Sequence, residues 1–353
     1  MRRRLLLPSC GALVAVTFGH LEFLLKHDKF NWLSESGAKM QSICPSEPES
    51  ARILKKMLDQ VLQLHPSISR FHIGADEVYQ LGIDKRCVDA LSSTFSNSKH
   101  RLMAAHVARI ASYVREAHTN IRMVFAWVDM FYIIPTRIIE EYELDKLVVP
   151  VHWNYHEDVT THAYFQRRNI DKFEKLFPEQ GIASAFKGST GSSQMFNSIA
   201  PYFRNHQSFI KLLHQNPSFA TKVHTIMMTG WQRYEHFAPL CELLPNSIPS
   251  LALDATLIAQ NSKTAENRDD YDANGRKGLE SIDATVRKAL KCKETRGSLE
   301  DLLRQGSYTE CQFPGIELYK HMIRIEECRT IHCFNTLKHT FVEELHDVEA
   351  VLA

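Results

Sequence analysis

Arg70-Phe71-His72-Ile73-Gly74-Ala75-Asp76-Glu77-Val78-Tyr79 is the stretch on which the fold turns. Phe71 to Gly74 reads as a short strand, and it runs directly into two adjacent carboxylates. Such a pair at the end of an apolar strand is costly unless the charges are paired or used. Taken alone, the dipeptide fits a solvated turn, or a helix N-terminus where acids are stabilised, better than it fits catalysis. The surroundings change that weighing.

On the N-terminal side, Ala12 to Thr17 reads as a strand and Ser50 to Leu64 as a helix. Leu54, Met57, Leu58, Val61 and Leu62 fall on one face of that helix at 3.6-residue spacing. Ser46-x-x-Glu49 has the form of a capping box, and Pro66 stops the helix. On the C-terminal side, Lys99 to Glu116 is a second amphipathic helix, and Met123 to Trp127 and Leu147 to Val151 are strands. Thr160 to Leu176 is predicted as one helix, followed by strands Ile182 to Phe186 and Thr225 to Thr229.

Strands alternating with helices mean βαβ units and a parallel sheet. A closed barrel and a doubly wound open sheet both answer that description. A doubly wound nucleotide binder should carry a glycine-rich phosphate turn, and neither GxGxxG nor GxxxxGK[ST] occurs. The expected fold class is therefore α/β, a (β/α)8 TIM-barrel type, in which active residues sit at the C-terminal ends of strands. The polar and aromatic residues gather there: Phe18-Gly19-His20, Asp76-Glu77, Trp127-Val128-Asp129, Trp153-Asn154-Tyr155, Lys187-Gly188 and Trp231-Gln232-Arg233-Tyr234. One such Trp is ordinarily core. Three of the chain's four at corresponding positions suit the apolar CH faces of sugar rings.

A net charge of +1 over 353 residues gives no global field to favour nucleic acid or an acidic membrane. No apolar run approaches the ~20 residues of a spanning helix. Met1-Arg2-Arg3-Arg4 followed by Leu5 to Phe18 superficially resembles a signal peptide, but cleavage near Ala15 would cut the first strand in half. Eight scattered Cys with no CxxC pair point to free thiols rather than to a disulfide framework or a zinc ribbon. Beyond about Leu251 the texture changes to polar segments and helices such as Ala284 to Leu290 and Phe341 to Leu352. The expected organisation is a barrel over residues 1–255 and a helical extension over 256–353.

The segment around Asp76-Glu77 resembles the hallmark of glycoside hydrolase family 20, where Gly-x-Asp-Glu follows the fourth barrel strand. Thr17-Phe18-Gly19-His20-Leu21-Glu22-Phe23, Trp127-x-Asp129-Met130, Ser184-Ala185-Phe186-Lys187-Gly188 and Thr229-Gly230-Trp231-Gln232-Arg233-Tyr234 are similar, in order and spacing, to the hexosaminidase D branch. The resemblance covers roughly residues 13–255. It implies a retaining β-N-acetylhexosaminidase in which the substrate's 2-acetamido oxygen, not an enzyme carboxylate, attacks the anomeric carbon. Glu77 would be the general acid/base, and Asp76 would hold the acetamido N–H. Trp127, Trp153 and Trp231 would wall the pocket, with Asp129 on a sugar hydroxyl or orienting Asp76. Tyr155, or its rival Tyr234, would donate to the acetamido oxygen, and His20 would lie near the acid. Lys187 and Arg233 could be hydroxyl ligands or scaffolding. The substrate implied is terminal N-acetylglucosamine or N-acetylgalactosamine. Neither a cofactor nor a metal is implied, a homodimer is left open, and the compartment implied is cytoplasmic and nuclear, with a secretory or lysosomal alternative.

There are departures. Val128 stands where the branch usually has a second Asp, Asn154 replaces an Asp, and Val16 replaces a Gln. Family barrels also have two βα units before the Thr17-Phe18-Gly19-His20 strand, and about a dozen residues precede it here. At ~30 residues per unit, roughly two of eight units are expected to be missing. Two other readings follow: a catalytically impaired sugar-binding or scaffold remnant of the fold, and a metal-dependent hydrolase using His72, Asp76 and Glu77. The second needs His72 and Asp76, four residues apart, to share a ligand from one strand.

Overall fold

The computed structural model describes residues 13–14, 17–37, 41–192, 194–264, 276–293 and 298–330. Six strands form one sheet: β1 (Leu13–Val14), β2 (Arg70–His72), β3 (Met123–Trp127), β4 (Val149–Trp153), β5 (Gln180–Lys187) and β6 (Val223–Gly230). They lie in chain order, each beside the next. The first four neighbour pairs are parallel, with Val14 opposite His72, His72 opposite Phe125, Trp127 opposite Val151 and Trp153 opposite Ala183. A doubly wound sheet reverses its strand order at a switch point. This order never reverses, so the arrangement is that of a partial (β/α)8 barrel.

The helices of nine or more residues are α1 (Pro48–Leu64), α2 (Lys85–Ser93), α3 (Lys99–Ala117), α4 (Arg167–Leu176), α5 (Ile199–Gln215), α6 (Leu244–Thr264), α7 (Arg276–Ala289) and α8 (Ile316–Thr330). The periodicity of α1 and α3 predicted both to within two residues. The capping box did not form. Pro48 takes the first helical position, so Glu47 becomes the N-cap and its side chain accepts the Glu49 N–H at 3.2 Å. The single helix expected over Thr160 to Leu176 is broken into two 3-10 turns and α4. His162 and Gln166 both take extended backbone, and the His162 imidazole caps the Tyr164 N–H at 3.3 Å. The helix expected over Phe341 to Leu352 lies outside the described residues.

Two compact units carry these elements. The first comprises 1–153, 161–183 and 216–227, and the second 154–160, 184–215 and 228–353. The first has a core in which Leu54, Leu58, Phe71, Ile73, Val107 and Ile110 are buried. Each contributes about 1.5–3 kcal/mol when fully removed from water. The second has its own core, including Phe203, Leu253, Val286, Tyr308 and Tyr319. Within it Cys292 and Cys311 form a disulfide, where scattered Cys had pointed to free thiols. The chain reverses after α7 and the Gln312 N–H bonds Leu290 O at 2.8 Å, which brings together two thiols 19 residues apart. Cys44, Cys87 and Cys241 are free.

Candidate active site

The strand before the carboxylates ends at His72. Gly74 and Ala75 then take φ of 74° and 75°, and Glu77 takes 50°. For Ala75 and Glu77 the left-handed backbone costs roughly 1–2 kcal/mol each. Its consequence is directional. On a regular strand Asp76 and Glu77 would point to opposite faces. With the strand ended, both carboxylates turn to one imidazole: His20 Nε2 lies 3.4 Å from Asp76 Oδ2 and 3.1 Å from Glu77 Oε2. The turn is held by its neighbours. Trp127 donates its backbone N–H to Gly74 O at 2.9 Å, and the Gln41 amide donates to Glu77 O at 3.3 Å. Asp129 Oδ2 accepts the Glu77 N–H at 2.8 Å.

His20 is delivered by Thr17-Phe18-Gly19. The Thr17 hydroxyl donates to Ile73 O at 2.6 Å, tying this segment to the start of the turn that carries Asp76 and Glu77. Gly19 sits so close that a Cβ there would lie 2.3 Å from Asp76 O. No other residue fits without moving one of the two segments. Burial works against a charged His20, but Asp76 and then Glu77 more than offset it, lifting its pKa to about 10. His20 is therefore an imidazolium at neutral pH. It sits between the two carboxylates.

Asp129 is placed behind the pair. Its second oxygen accepts from the Trp153 indole N–H at 3.2 Å. Burial, then the charge of Asp76, pushes its carboxyl up to about 6, against the opposing pull of the Glu77 N–H and Trp153. Both oxygens thus position protein groups: the backbone of Glu77 and the indole of Trp153. Trp127 is 2% exposed and packs on His72 with ring centroids 4.2 Å apart. His72 Nδ1 accepts the Gly74 N–H at 2.9 Å, so the proton sits on Nε2, and burial alone drops the ring's pKa to about 3. His72 is thereby a brace for the turn, with the lone pair of Nδ1 already engaged. Val128 is fully buried in the first core, where an Asp would be an uncompensated charge.

Tyr155, Trp231, Tyr234, Lys187 and Arg233 belong to the second unit. There Tyr155 and Trp231 meet edge to face, with centroids 6.3 Å apart, and Tyr234 is half exposed. Lys187 is buried and donates to Trp231 O, while Arg233 donates to Ala238 O. Both serve as scaffolding here. Gly188, at φ 82°, would place a Cβ 2.1 Å from Trp231 O. Asn154 folds its side chain onto the His156 N–H at 2.9 Å, a local turn rather than an outward-facing polar group.

Three contributors escaped sequence reasoning. Gln41 sits in an aperiodic loop, Tyr79 is 66% exposed, and Tyr164 lies in a segment read as helix. Tyr79 hydrogen-bonds the Glu77 carboxylate, and burial together with the Glu77 and Asp129 charges raises its phenol pKa. Tyr164 stands edge-on to Trp153 at 6.2 Å. Only a tyrosine two residues after Glu77 offered any local signal.

A model described as "Glycosyl hydrolase family 20, catalytic domain" matches residues 15–167. A protein from Bos taurus described as Hexosaminidase D is 38% identical over 238 residues, 67% of this chain and 67% of the relative. One from Homo sapiens with the same description is 38% identical over 243 residues, covering 69% of this chain. The chain spans about half the length of that human relative, 49%. A solved beta-N-acetylhexosaminidase from Bacteroides fragilis NCTC 9343 is 19% identical, with a TM-score of 0.35, over 48% of this chain and 32% of that one.

Proposed function

This chain belongs to glycosyl hydrolase family 20, and from that premise we propose that it is an exo-β-N-acetylhexosaminidase acting on terminal N-acetylglucosamine or N-acetylgalactosamine. The observation that carries the reading is the broken strand that aims Asp76 and Glu77 at the same imidazole. A general acid/base and the partner of a neighbouring acetamide must share one face of the sugar, and this turn provides that. Descriptions of the two relatives as Hexosaminidase D support the substrate class.

In this reading the 2-acetamido oxygen attacks the anomeric carbon and the glycosidic bond breaks with a proton delivered by Glu77. The product is an oxazolinium ion and a free aglycone. Asp76 accepts the acetamido N–H and stabilises the positive charge that develops there. Glu77, now a carboxylate, takes a proton from water, whose oxygen adds to the anomeric carbon and restores the acetamide with retention. The imidazolium of His20 holds both carboxylates on one side of the site, with Nε2 3.4 Å from Asp76 and 3.1 Å from Glu77. Asp129 fixes the acid's backbone, so the acid's carboxyl keeps its place between the two steps.

Release of a chromogenic aglycone from N-acetyl-β-D-glucosaminide and N-acetyl-β-D-galactosaminide tests this directly. Glu77→Gln should lower kcat/KM by about 10²–10⁴. An unchanged rate in that variant would refute the assigned acid. Sugar binding without turnover by the unaltered chain would favour the sugar-binding remnant instead.

A further inference from the structure

Away from the carboxylates, the first unit buries a second reactive pair. Cys44 and Cys87 are 43 residues apart in sequence, fully buried, and their sulfurs lie 2.7 Å from each other. Both are held from the backbone outward. Cys44 donates its N–H to Leu33 O at 2.7 Å, and Cys87 stands in the first turn of α2 behind the N-cap Asp84. The buried Glu35 carboxylate accepts the N–H groups of Gly82, Ile83 and Asp84 at 2.9–3.0 Å, clamping the entry to α2 against the segment that leads to Cys44. Arg86 closes the other side, on Glu47 at 3.0 Å and Asp84 at 2.6 Å.

Two chemistries could use this cluster. The ligand atoms of Glu35, Cys44 and Cys87 lie within 4.8 Å of one another, so a metal is one. Two thiolates on one tetrahedral zinc, each about 2.3 Å from it, stand about 3.8 Å apart, and Glu35 already accepts three N–H bonds. The sulfurs here are closer than that. A disulfide needs about 2.05 Å, so they have only about 0.7 Å left to travel.

We propose that Cys44 and Cys87 are a reversible dithiol–disulfide pair, closed by a peroxide-sized oxidant, that staples the segment bearing Gln41 to the helix following the catalytic turn. Their burial excludes bulky disulfide reagents, so the oxidant class that suits the pair is one as small as hydrogen peroxide. The Cys44 sulfur attacks one peroxide oxygen, the O–O bond breaks, and hydroxide leaves, giving a sulfenic acid. The Cys87 sulfur then attacks the Cys44 sulfur, the S–O bond breaks, and the proton from Cys87 leaves with that oxygen as water. Two thiols are oxidised and one peroxide is reduced to two waters. Contact with Cys87 lowers the Cys44 pKa, with Arg86 adding to it, while the same contact and burial raise Cys87. The Arg86 guanidinium, held on Glu47 and Asp84, favours a thiolate at Cys44, which makes Cys44 the attacker and Cys87 the resolving thiol. A thiol reverses the bond by exchange once local opening exposes a sulfur.

The test uses the full chain, with and without hydrogen peroxide, alkylated in denaturant and mapped by peptide mass. A Cys44–Cys87 linked peptide should appear with the loss of two alkylatable thiols and disappear after dithiothreitol. The Cys292–Cys311 pair is an internal control. Oxidation should raise Tm by on the order of 5 °C, because the bond closes a long loop. That rise should be absent in both Cys44→Ala and Cys87→Val. Two thiols still alkylated after peroxide, or Cys44 oxidised onward without a link to Cys87, would overturn the proposal. Neither readout involves glycoside hydrolysis, so failure of the thiol pair and failure of the proposed function are told apart.

Discussion

Gly19→Ala isolates the contact between the His20 segment and the turn that carries Asp76 and Glu77. The added methyl carbon would sit 2.3 Å from Asp76 O, whereas a C···O contact relaxes near about 3.3 Å. One segment must therefore retreat by about 1 Å. Both candidates are backbone, tied by the Thr17 hydroxyl to Ile73 O and by Asp129 to the Glu77 N–H, so no flexible side chain can absorb the move. His20 is the next residue, and its contacts of 3.1 and 3.4 Å to the carboxylates would open. A misplacement of that size costs roughly 10²-fold in rate, or about 2.7 kcal/mol of transition-state stabilisation. The assay is kcat/KM on the chromogenic N-acetylgalactosaminide, with circular dichroism to verify folding. Gly37→Ala is the matched control, since a Cβ there meets nothing within 4 Å. A folded Gly19→Ala protein within twofold of the unaltered rate would refute the close-packed coupling of the two segments.

His20 should hold its proton through neutrality. Its pKa is raised from 6.5 to about 10, so the stability it contributes is full below pH 6.5 and is lost as pH rises through 10. Imidazole NMR that shows titration near pH 6.5 would contradict this. Asp129 is also raised, to about 6 from 3.8, so its contribution is present below pH 3.8 and lost as pH rises through 6. Asp129→Asn should flatten that limb of a urea-denaturation pH profile and, by weakening the support of Glu77, lower kcat more than it raises KM; an unchanged profile and rate would count against both roles. Gly188→Ala should destabilise the second unit by about 1–3 kcal/mol, through a clash with Trp231 O and an unfavourable φ, as read by denaturant midpoint. A midpoint equal to that of the unaltered chain would show that the loop has room to yield.

The fold was largely legible because its signals are local. The 3.6-residue spacing of Leu54, Leu58 and Leu62, and of Val107, Ile110 and Val114, reports which helix face is buried whatever lies opposite. The short apolar runs at Met123–Trp127 and Leu147–Val151 do the same for strands, the second lying two residues ahead of the observed β4. The break over 159–166 was not legible, because it depends on which of several neighbouring polar side chains captures a backbone N–H. Nor was the Cys292–Cys311 bond, since spacing alone says nothing of a chain reversal.

What the sequence by itself determined is the type of architecture, the family resemblance and the identity of the two carboxylates. These rest on residue type and periodicity, which each short segment carries on its own. Tertiary structure alone decided where the carboxylates point. Gly74, Ala75 and Glu77 adopt left-handed backbone because the surrounding bonds from Trp127, Gln41 and Asp129 hold it there. That geometry turns both acids toward His20, a residue 56 positions before Asp76, whose charge state follows from their proximity. The bond from the Glu77 backbone N–H to Asp129 is likewise a product of the assembled strands. Electrostatic coupling and close approach depend on distances through space, and those arise only when separate strands are brought side by side.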